Sequence, residues 1–364
     1  MAALRRKIIR PGSRIRVLVV DDSVVIRRLV THALGEDPRF EVVGAAANGV
    51  IALARIPQLN PDVVTLDVEM PEMDGLETLR RIRKDYPDLC VIMFSTVTAR
   101  GATATLDALV LGANDYVTKA ANVGSLDRSM SSLRSELIPK ITQFFILPEE
   151  AVRGPAAAAA VAAPVSLAKL RFGGVRRPRA VAVGVSTGGP TALSALVPKL
   201  PRSFPLPILI VQHMPPLFTR FLAERLQTMT ELRVEEGAAG SLVEPGKILI
   251  APGDYHMRLA KRKEQVVITL DQAPPENSCR PSADVLFRSV DEIYGGAVIT
   301  VILTGMGQDG LRGVEVLRAS GAYVIAQDEA SSVVWGMPGA VVRAGLADSI
   351  VPLDGVVPQL LKQV

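Results

Sequence analysis

Two sets of residues could carry chemistry, one in each half of the chain. In the C-terminal half the turn Gly184-Val185-Ser186-Thr187-Gly188-Gly189-Pro190 follows the apolar run 180–183 and precedes a helical pattern over 191–197. A small hydroxyl at the tip of a strand-to-helix turn has two uses. The turn could cradle a phosphate on its backbone N–H groups, or Ser186 could be a nucleophile beside an oxyanion-stabilising turn. Two later strand-to-helix crossings favour the nucleophile. The strand 206–211 ends in Gln212-His213-Met214-Pro215, and the strand 297–303 ends in Thr304-Gly305-Met306-Gly307-Gln308-Asp309-Gly310. Serine, histidine and aspartate at three crossings of a parallel sheet can meet at one edge. There Ser186 attacks a carbonyl, His213 takes and returns the proton, and Asp309 orients the imidazole. His256 and Asp254 compete for the last two roles, but they lie beside a Gly-Asp turn and rank lower. Thr187 and Met306, through neighbouring backbone N–H groups, are candidates for oxyanion support.

The N-terminal set consists of acids, a hydroxyl and a lysine. Asp21 and Asp22 follow the apolar run 15–20, and Asp67 ends 63–66; Ser95 and Thr96 close 91–94, and Lys119 follows 115–117. Three carboxylates at one edge repel one another, so a bound cation is the simplest remedy, and oxygen ligands with open positions suit Mg²⁺. Lysine and hydroxyl would then partner a phosphoryl group on the central carboxylate.

The elements that must hold these groups alternate. Strands at 15–20, 41–45, 63–66, 91–94 and 115–117 are separated by helical patterns at 24–34, 50–56, 76–85 and 103–111, with a last helix over 125–137. This is an α/β chain whose N-terminal half reads as a flavodoxin-like, doubly wound parallel sheet. The C-terminal half repeats strand and helix in a Rossmann-like manner. The predicted division is an extension over 1–14, a first domain over 15–140, a linker over 141–178 rich in Ala, Pro and Arg, and a second domain over 179–364.

Here the first half resembles the response-regulator receiver family, through Asp21-Asp22-Ser23, Leu66-Asp67-Val68-Glu69-Met70-Pro71-Glu72-Met73-Asp74-Gly75, Ser95 and Lys119. The resemblance implies that Asp67 is the phospho-acceptor and that Asp21, Asp22 and Asp67 hold Mg²⁺ with the Glu69 carbonyl. Ser95 would sense the phosphoryl group and Lys119 would pair with it. Ala120 stands where that family usually has proline. The second half resembles the chemotaxis protein-glutamate methylesterase and glutamine deamidase family. The match runs through the Ser186 and His213 segments, Ala251-Pro252-Gly253-Asp254-Tyr255-His256-Met257, Arg280-Pro281-Ser282-Ala283-Asp284-Val285-Leu286-Phe287, 303–310, 326–331 and Trp335-Gly336-Met337-Pro338. It implies a Ser186–His213–Asp309 triad that hydrolyses γ-glutamyl methyl esters on chemoreceptors and deamidates receptor glutamines. A chemotaxis histidine kinase would be the phosphodonor, and no cofactor would be needed for the esterase step. Phosphorylation would open a Ser186 face covered by the receiver.

Composition agrees with a soluble globular protein that can bury a sizeable core. Hydrophobic residues make up 48% and charged residues 21%, and the net charge of +4 is small for 364 residues, giving no call for nucleic acid or a membrane surface. The first seven residues are basic without an apolar run behind them, unlike a signal peptide. Cys90 and Cys279 read as reduced thiols of a cytoplasmic protein; a monomer is expected. A helix-turn-helix output is excluded by the strand-helix alternation. The Gly188-Gly189 turn lacks an acidic ribose partner at the expected spacing for a nucleotide module. A catalytically silent receiver-linked adaptor is the remaining alternative.

Overall fold

The computed structural model describes residues 6–119, 126–147 and 177–364, which fall into two compact units, one on either side of 148–176. Ala120 and most of the expected linker lie outside the described residues.

The N-terminal unit has the strands β1 (Lys7–Ile8), β2 (Ile15–Val20), β3 (Phe40–Ala46), β4 (Val63–Asp67), β5 (Cys90–Ser95), β6 (Asp115–Thr118) and β7 (Phe145–Ile146). Its main sheet is parallel in the order β3-β2-β4-β5-β6. Strands buried on both faces read as continuous Val/Ile/Leu runs, and β2, β4 and β5 do so because helices cover both sides. Within this sheet the chain enters at β2, moves out to β3 and returns to β4, so the order reverses between β2 and β4. That crevice receives the carboxyl ends carrying Asp21 and Asp67.

Three differences from the sequence reading have local causes. Helix Ala99–Val110 begins four residues before the expected 103, because Thr98 Oγ1 accepts from Gly101 N at 3.0 Å and caps it. Helix Gly49–Leu59 runs past Pro57 and ends at Asn60, whose φ of 43° is left-handed. β1 and β7 pair in parallel, Lys7 with Phe145 and Ile8 with Ile146. Segments read as extension and linker are thus joined within the N-terminal unit.

The C-terminal unit contains β8 (Ala180–Val185), β9 (Ile208–Gln212), β10 (Arg233–Glu236), β11 (Lys247–Ile250), β12 (His256–Arg262), β13 (Gln265–Asp271), β14 (Val298–Ile302), β15 (Tyr323–Gln327) and β16 (Ser349–Val351). Seven of these form a parallel sheet in the order β10-β11-β9-β8-β14-β15-β16, and β12 and β13 form a separate antiparallel hairpin. From β8 the chain builds outward through β9, then returns to lay β14 on the other side. The switch point lies between β8 and β14, where Ser186 and the loop bearing Asp309 emerge.

One packing contact sets the geometry there. Phe287, fully buried on helix Ala283–Tyr294, lies under the positions where side chains at Gly184, Gly310 and Gly313 would stand. A Cβ at Gly313 would sit 2.5 Å from Phe287 Cβ, so only hydrogen fits. The close approach draws the N-terminus of this helix onto the loop that follows β14. Truncating a buried phenylalanine costs about 3–5 kcal/mol, and here it would also loosen that approach.

Candidate functional site

In the N-terminal unit, Asp21 and Asp67 are buried and Asp22 is exposed, with ligand oxygens of all three within 4.8 Å of one another. Lys119 Nζ bridges the buried pair, 2.7 Å from Asp67 Oδ2 and 2.8 Å from Asp21 Oδ2. Burial works against the ammonium, but these two carboxylates outweigh it and raise the lysine pKa. Asp67 is pushed up to about 6, chiefly by burial and further by the Asp21 charge, against the opposing pull of Lys119. One ammonium therefore under-neutralises the cluster. Three convergent hard oxygen donors whose central carboxylate is destabilised by burial and a like charge fit a divalent oxygen-seeking cation such as Mg²⁺. Glu69 N donates to Asp67 Oδ1 at 3.3 Å, and the exposed Glu69 side chain pairs with Arg100 at 3.1 Å. The side chain is therefore turned to Arg100, leaving the backbone carbonyl as the candidate ligand. Ser95 is fully buried and its hydroxyl donates to Gly101 O at 3.0 Å, engaged with the following helix.

In the C-terminal unit, backbone ties bring the three expected residues to one edge. Ser186 N donates to Thr304 O at 3.0 Å, and His213 N donates to Val185 O at 3.2 Å. Gln212 Nε2 donates to Ser186 O at 3.0 Å. Gly188, with φ of 80°, turns the chain into helix Gly189–Leu196. A Cβ at Gly305 would lie 2.8 Å from Ser186 Cβ, so glycine there lets the β14 loop press on the serine. Met306, the next residue, is 41% exposed, while Thr187 is buried with its carbonyl accepting from Thr304 Oγ1 at 2.9 Å.

His213 Nε2 and Asp309 Oδ2 are 2.7 Å apart. Four further donors converge on the same carboxylate. Ala283 N reaches Oδ2 at 2.6 Å, while Ser282 Oγ at 2.7 Å, Asn277 Nδ2 at 2.9 Å and Asp284 N at 3.2 Å reach Oδ1. Burial of Asp309 favours protonation, but His213 and then these donors outweigh it and hold the carboxyl well below the usual range. An ionised carboxylate only accepts, so in the neutral imidazole Nε2 carries the hydrogen and Nδ1 the lone pair. For His213, burial disfavours the imidazolium, and the Asp309 hydrogen bond, assisted by Cys279, overcomes this and raises its basicity. Cys279 Sγ lies 3.6 Å from Nδ1.

Sequence reasoning missed Asn277, Cys279, Ser282 and the two helix N–H groups. Ser282-Ala283-Asp284 has the look of an ordinary helix start, yet Ser282 makes no side-chain cap and gives its hydroxyl to Asp309 instead. Asn277 Nδ2 also bridges to Asp284 Oδ2 at 2.8 Å. Asp284 is itself raised to about 6, first by burial and then by the Asp309 charge, with Gly313 N opposing. The competitors are engaged elsewhere. Asp254 pairs with Arg280 at 2.5 Å, and the fully buried His256 places Nε2 3.2 Å from Pro274 O.

A receiver-type acidic crevice on one parallel sheet, and a hydroxyl, imidazole and carboxylate on another, define a response regulator with a hydrolase as its output. Comparison with known proteins gives the same class. The family model for CheB methylesterase matches residues 181–360, and that for the response regulator receiver domain matches 17–130. A protein-glutamate methylesterase/protein-glutamine glutaminase of Trichodesmium erythraeum is 51% identical over 96% of this chain and 99% of its own. One from Nocardioides is 50% identical over 97% and 96%. The crystal structure of the Thermotoga maritima CheB methylesterase catalytic domain covers 51% of this chain and 99% of its own, at 43% identity and a TM-score of 0.51. The chain belongs to the CheB methylesterase family of receiver-linked enzymes.

Proposed function

We propose that this enzyme hydrolyses γ-glutamyl methyl esters on chemoreceptor cytoplasmic helices, releasing methanol, and deamidates receptor glutamines by the same route. The observation that carries this reading is the five-donor anchoring of Asp309 against His213, on a strand end tied to that of Ser186. Ser186 Oγ attacks the side-chain carbonyl as His213 Nδ1 accepts the hydroxyl proton, and the charge that builds on the imidazole is met by Asp309. The carbonyl oxygen becomes an oxyanion, with Thr187 and Met306 on the loops that flank Ser186. Collapse expels methoxide or amide, which leaves with the proton held by His213; water then repeats the sequence on the acyl-serine.

The receiver would be phosphorylated on Asp67 by a chemotaxis histidine kinase. Asp21, Asp22, Asp67 and the Glu69 carbonyl would hold Mg²⁺, which neutralises charge on the incoming phosphoryl group. Lys119 would then exchange a carboxylate for a phosphoryl oxygen, and Ser95 would leave Gly101 for another. Phosphorylation adds nearly two charges to a crevice already short of cations, which favours a rearranged loop set and a more active hydrolase. Among the described residues no helix is long and apolar enough to cross a membrane. The enzyme would act as a cytoplasmic monomer that reaches receptors from solution.

The test is methanol release from methylated receptor membranes, for wild type and Ser186→Ala, each with and without a phosphodonor and Mg²⁺. Release by wild type that rises with phosphodonor and falls by about 10⁴-fold or more in the variant is expected. No release from wild type in either state would refute the esterase reading and leave the silent adaptor.

A further inference from the structure

Cys279 has no part in the hydrolysis above, yet its thiol occupies the accepting side of the catalytic imidazole. Its Sγ lies 3.6 Å from His213 Nδ1, while Asp309 holds the opposite nitrogen at 2.7 Å. Sulfur, ring nitrogen and carboxylate oxygen all fall within 4.8 Å of one another. A tetrahedral zinc ion with Zn–S of about 2.3 Å and Zn–N of about 2.0–2.1 Å separates its sulfur and nitrogen by about 3.5 Å. The observed separation admits that ion with little movement. Ligating imidazoles characteristically present one lone pair to the metal while the other N–H donates to a carboxylate. Asp309, ionised by its ring of donors, imposes that tautomer on His213.

We propose that Cys279 Sγ and His213 Nδ1 form a binding site for a borderline-soft divalent cation, Zn²⁺ first. Asp309 stands behind the ring as the orienting carboxylate, because its oxygens are already filled by Asn277, Ser282, Ala283 and Asp284. Water completes the coordination sphere. The Cys279 thiol, and Nδ1 wherever the His213 ring is an imidazolium, lose their protons to solvent on binding, and nothing is oxidised or reduced. With two protein ligands rather than four, the ion binds reversibly and a chelator removes it. The receiver cluster offers oxygens alone and suits hard cations, so sulfur and nitrogen give this second site a different metal preference. An ion on Nδ1 takes the lone pair that would accept the Ser186 proton, and hydrolysis stops while it stays. That inhibition rests on the proposed role of His213 as base; the binding does not.

Full-length protein in Mg²⁺ is titrated with Co²⁺ while the sulfur-to-cobalt charge-transfer absorption is followed, for wild type, Cys279→Ser and Cys90→Ser. A band is expected in wild type and Cys90→Ser, absent from Cys279→Ser and abolished by added Zn²⁺. In wild type, Zn²⁺ should slow alkylation of Cys279 by about tenfold or more, and should suppress methanol release until EDTA is added. Absence of the band in wild type, its survival in Cys279→Ser, or unaltered alkylation of Cys279 under Zn²⁺ would overturn the site. A band with undiminished methanol release would leave the metal site standing and overturn the inhibition, and with it Nδ1 as the proton acceptor.

Discussion

Asp67 and Asp309 hold the same kind of position and are driven in opposite directions. Each stands at the switch point of a parallel doubly wound sheet, buried, beside a second acid and one basic side chain. Asp67 rises to about 6 because burial and Asp21 outweigh one shared lysine. Asp309 is depressed because five donors converge on two oxygens, two of them backbone N–H groups at a helix start. The number of fixed donors decides which effect wins. A carboxylate short of donors is poised to receive a cation and a phosphoryl group. One saturated with them is a permanent anion, suited to holding a tautomer and balancing a transient imidazolium.

The largest expected effect attacks the saturated site. In Asp309→Asn, whichever oxygen becomes NH₂ faces a donor it cannot accept from, either Ala283 N or Ser282 and Asp284 N. The amide cannot stabilise charge on His213, and kcat for methanol release should fall by about 10³–10⁴-fold. Circular dichroism must show the fold retained. A fall of less than about tenfold with an intact fold would mean that the anion is not needed and that the contrast with Asp67 has no catalytic meaning.

The second effect belongs to the under-neutralised site. Mg²⁺ at a hundred times its dissociation constant should stabilise the N-terminal unit by about 2.7 kcal/mol, seen as a rise in its melting temperature over an EDTA sample. The C-terminal unit, whose acid needs no added ion, should melt unchanged under the same Mg²⁺. Equal shifts in both units, or none in the first, would remove the distinction drawn between the two crevices.

The difference between the two crevices also explains what could be read in advance. Apolar runs ending in Asp, Ser or His located Asp21, Asp67, Ser186, His213 and Asp309, because strand period and switch-point geometry are local or nearly so. The donors to Asp309 are not local. Asn277, Ser282 and Ala283 come from a segment 26 to 32 positions away, held there by Phe287 packed against the positions of three glycines and by the Gly313 N hydrogen bond to Asp284. Ser282 carried a signal, a serine opening a helix, but its partner could not be named from spacing. Cys279 carried none, since a lone thiol reads as bland until the fold sets it on an imidazole. The helix start at Thr98 was hidden behind Gly101, which resembles a breaker; a Cβ there would meet Thr96 O at 2.4 Å, so glycine serves close packing inside the first turn.

The smallest effect is a displacement of the pH profile. His213 accepts a proton only when neutral, so activity must rise with pH as the imidazolium is lost. Burial alone would place that transition below the ordinary imidazole value of about 6.5; the Asp309 anion and then Cys279 move it above. The kcat/KM of wild type should therefore climb through a midpoint on the alkaline side of an ordinary histidine. In Cys279→Ala one of the two raising contacts is gone while Asp309 remains. The midpoint should then move toward acid, and a larger share of the enzyme should be active at neutral pH. Because the change acts on the fraction of neutral base, the plateau at high pH should move less than the midpoint. A wild-type midpoint below about 6.5 would mean that desolvation outweighs the anion, and that the four other donors leave Asp309 too well satisfied to act on the histidine it faces.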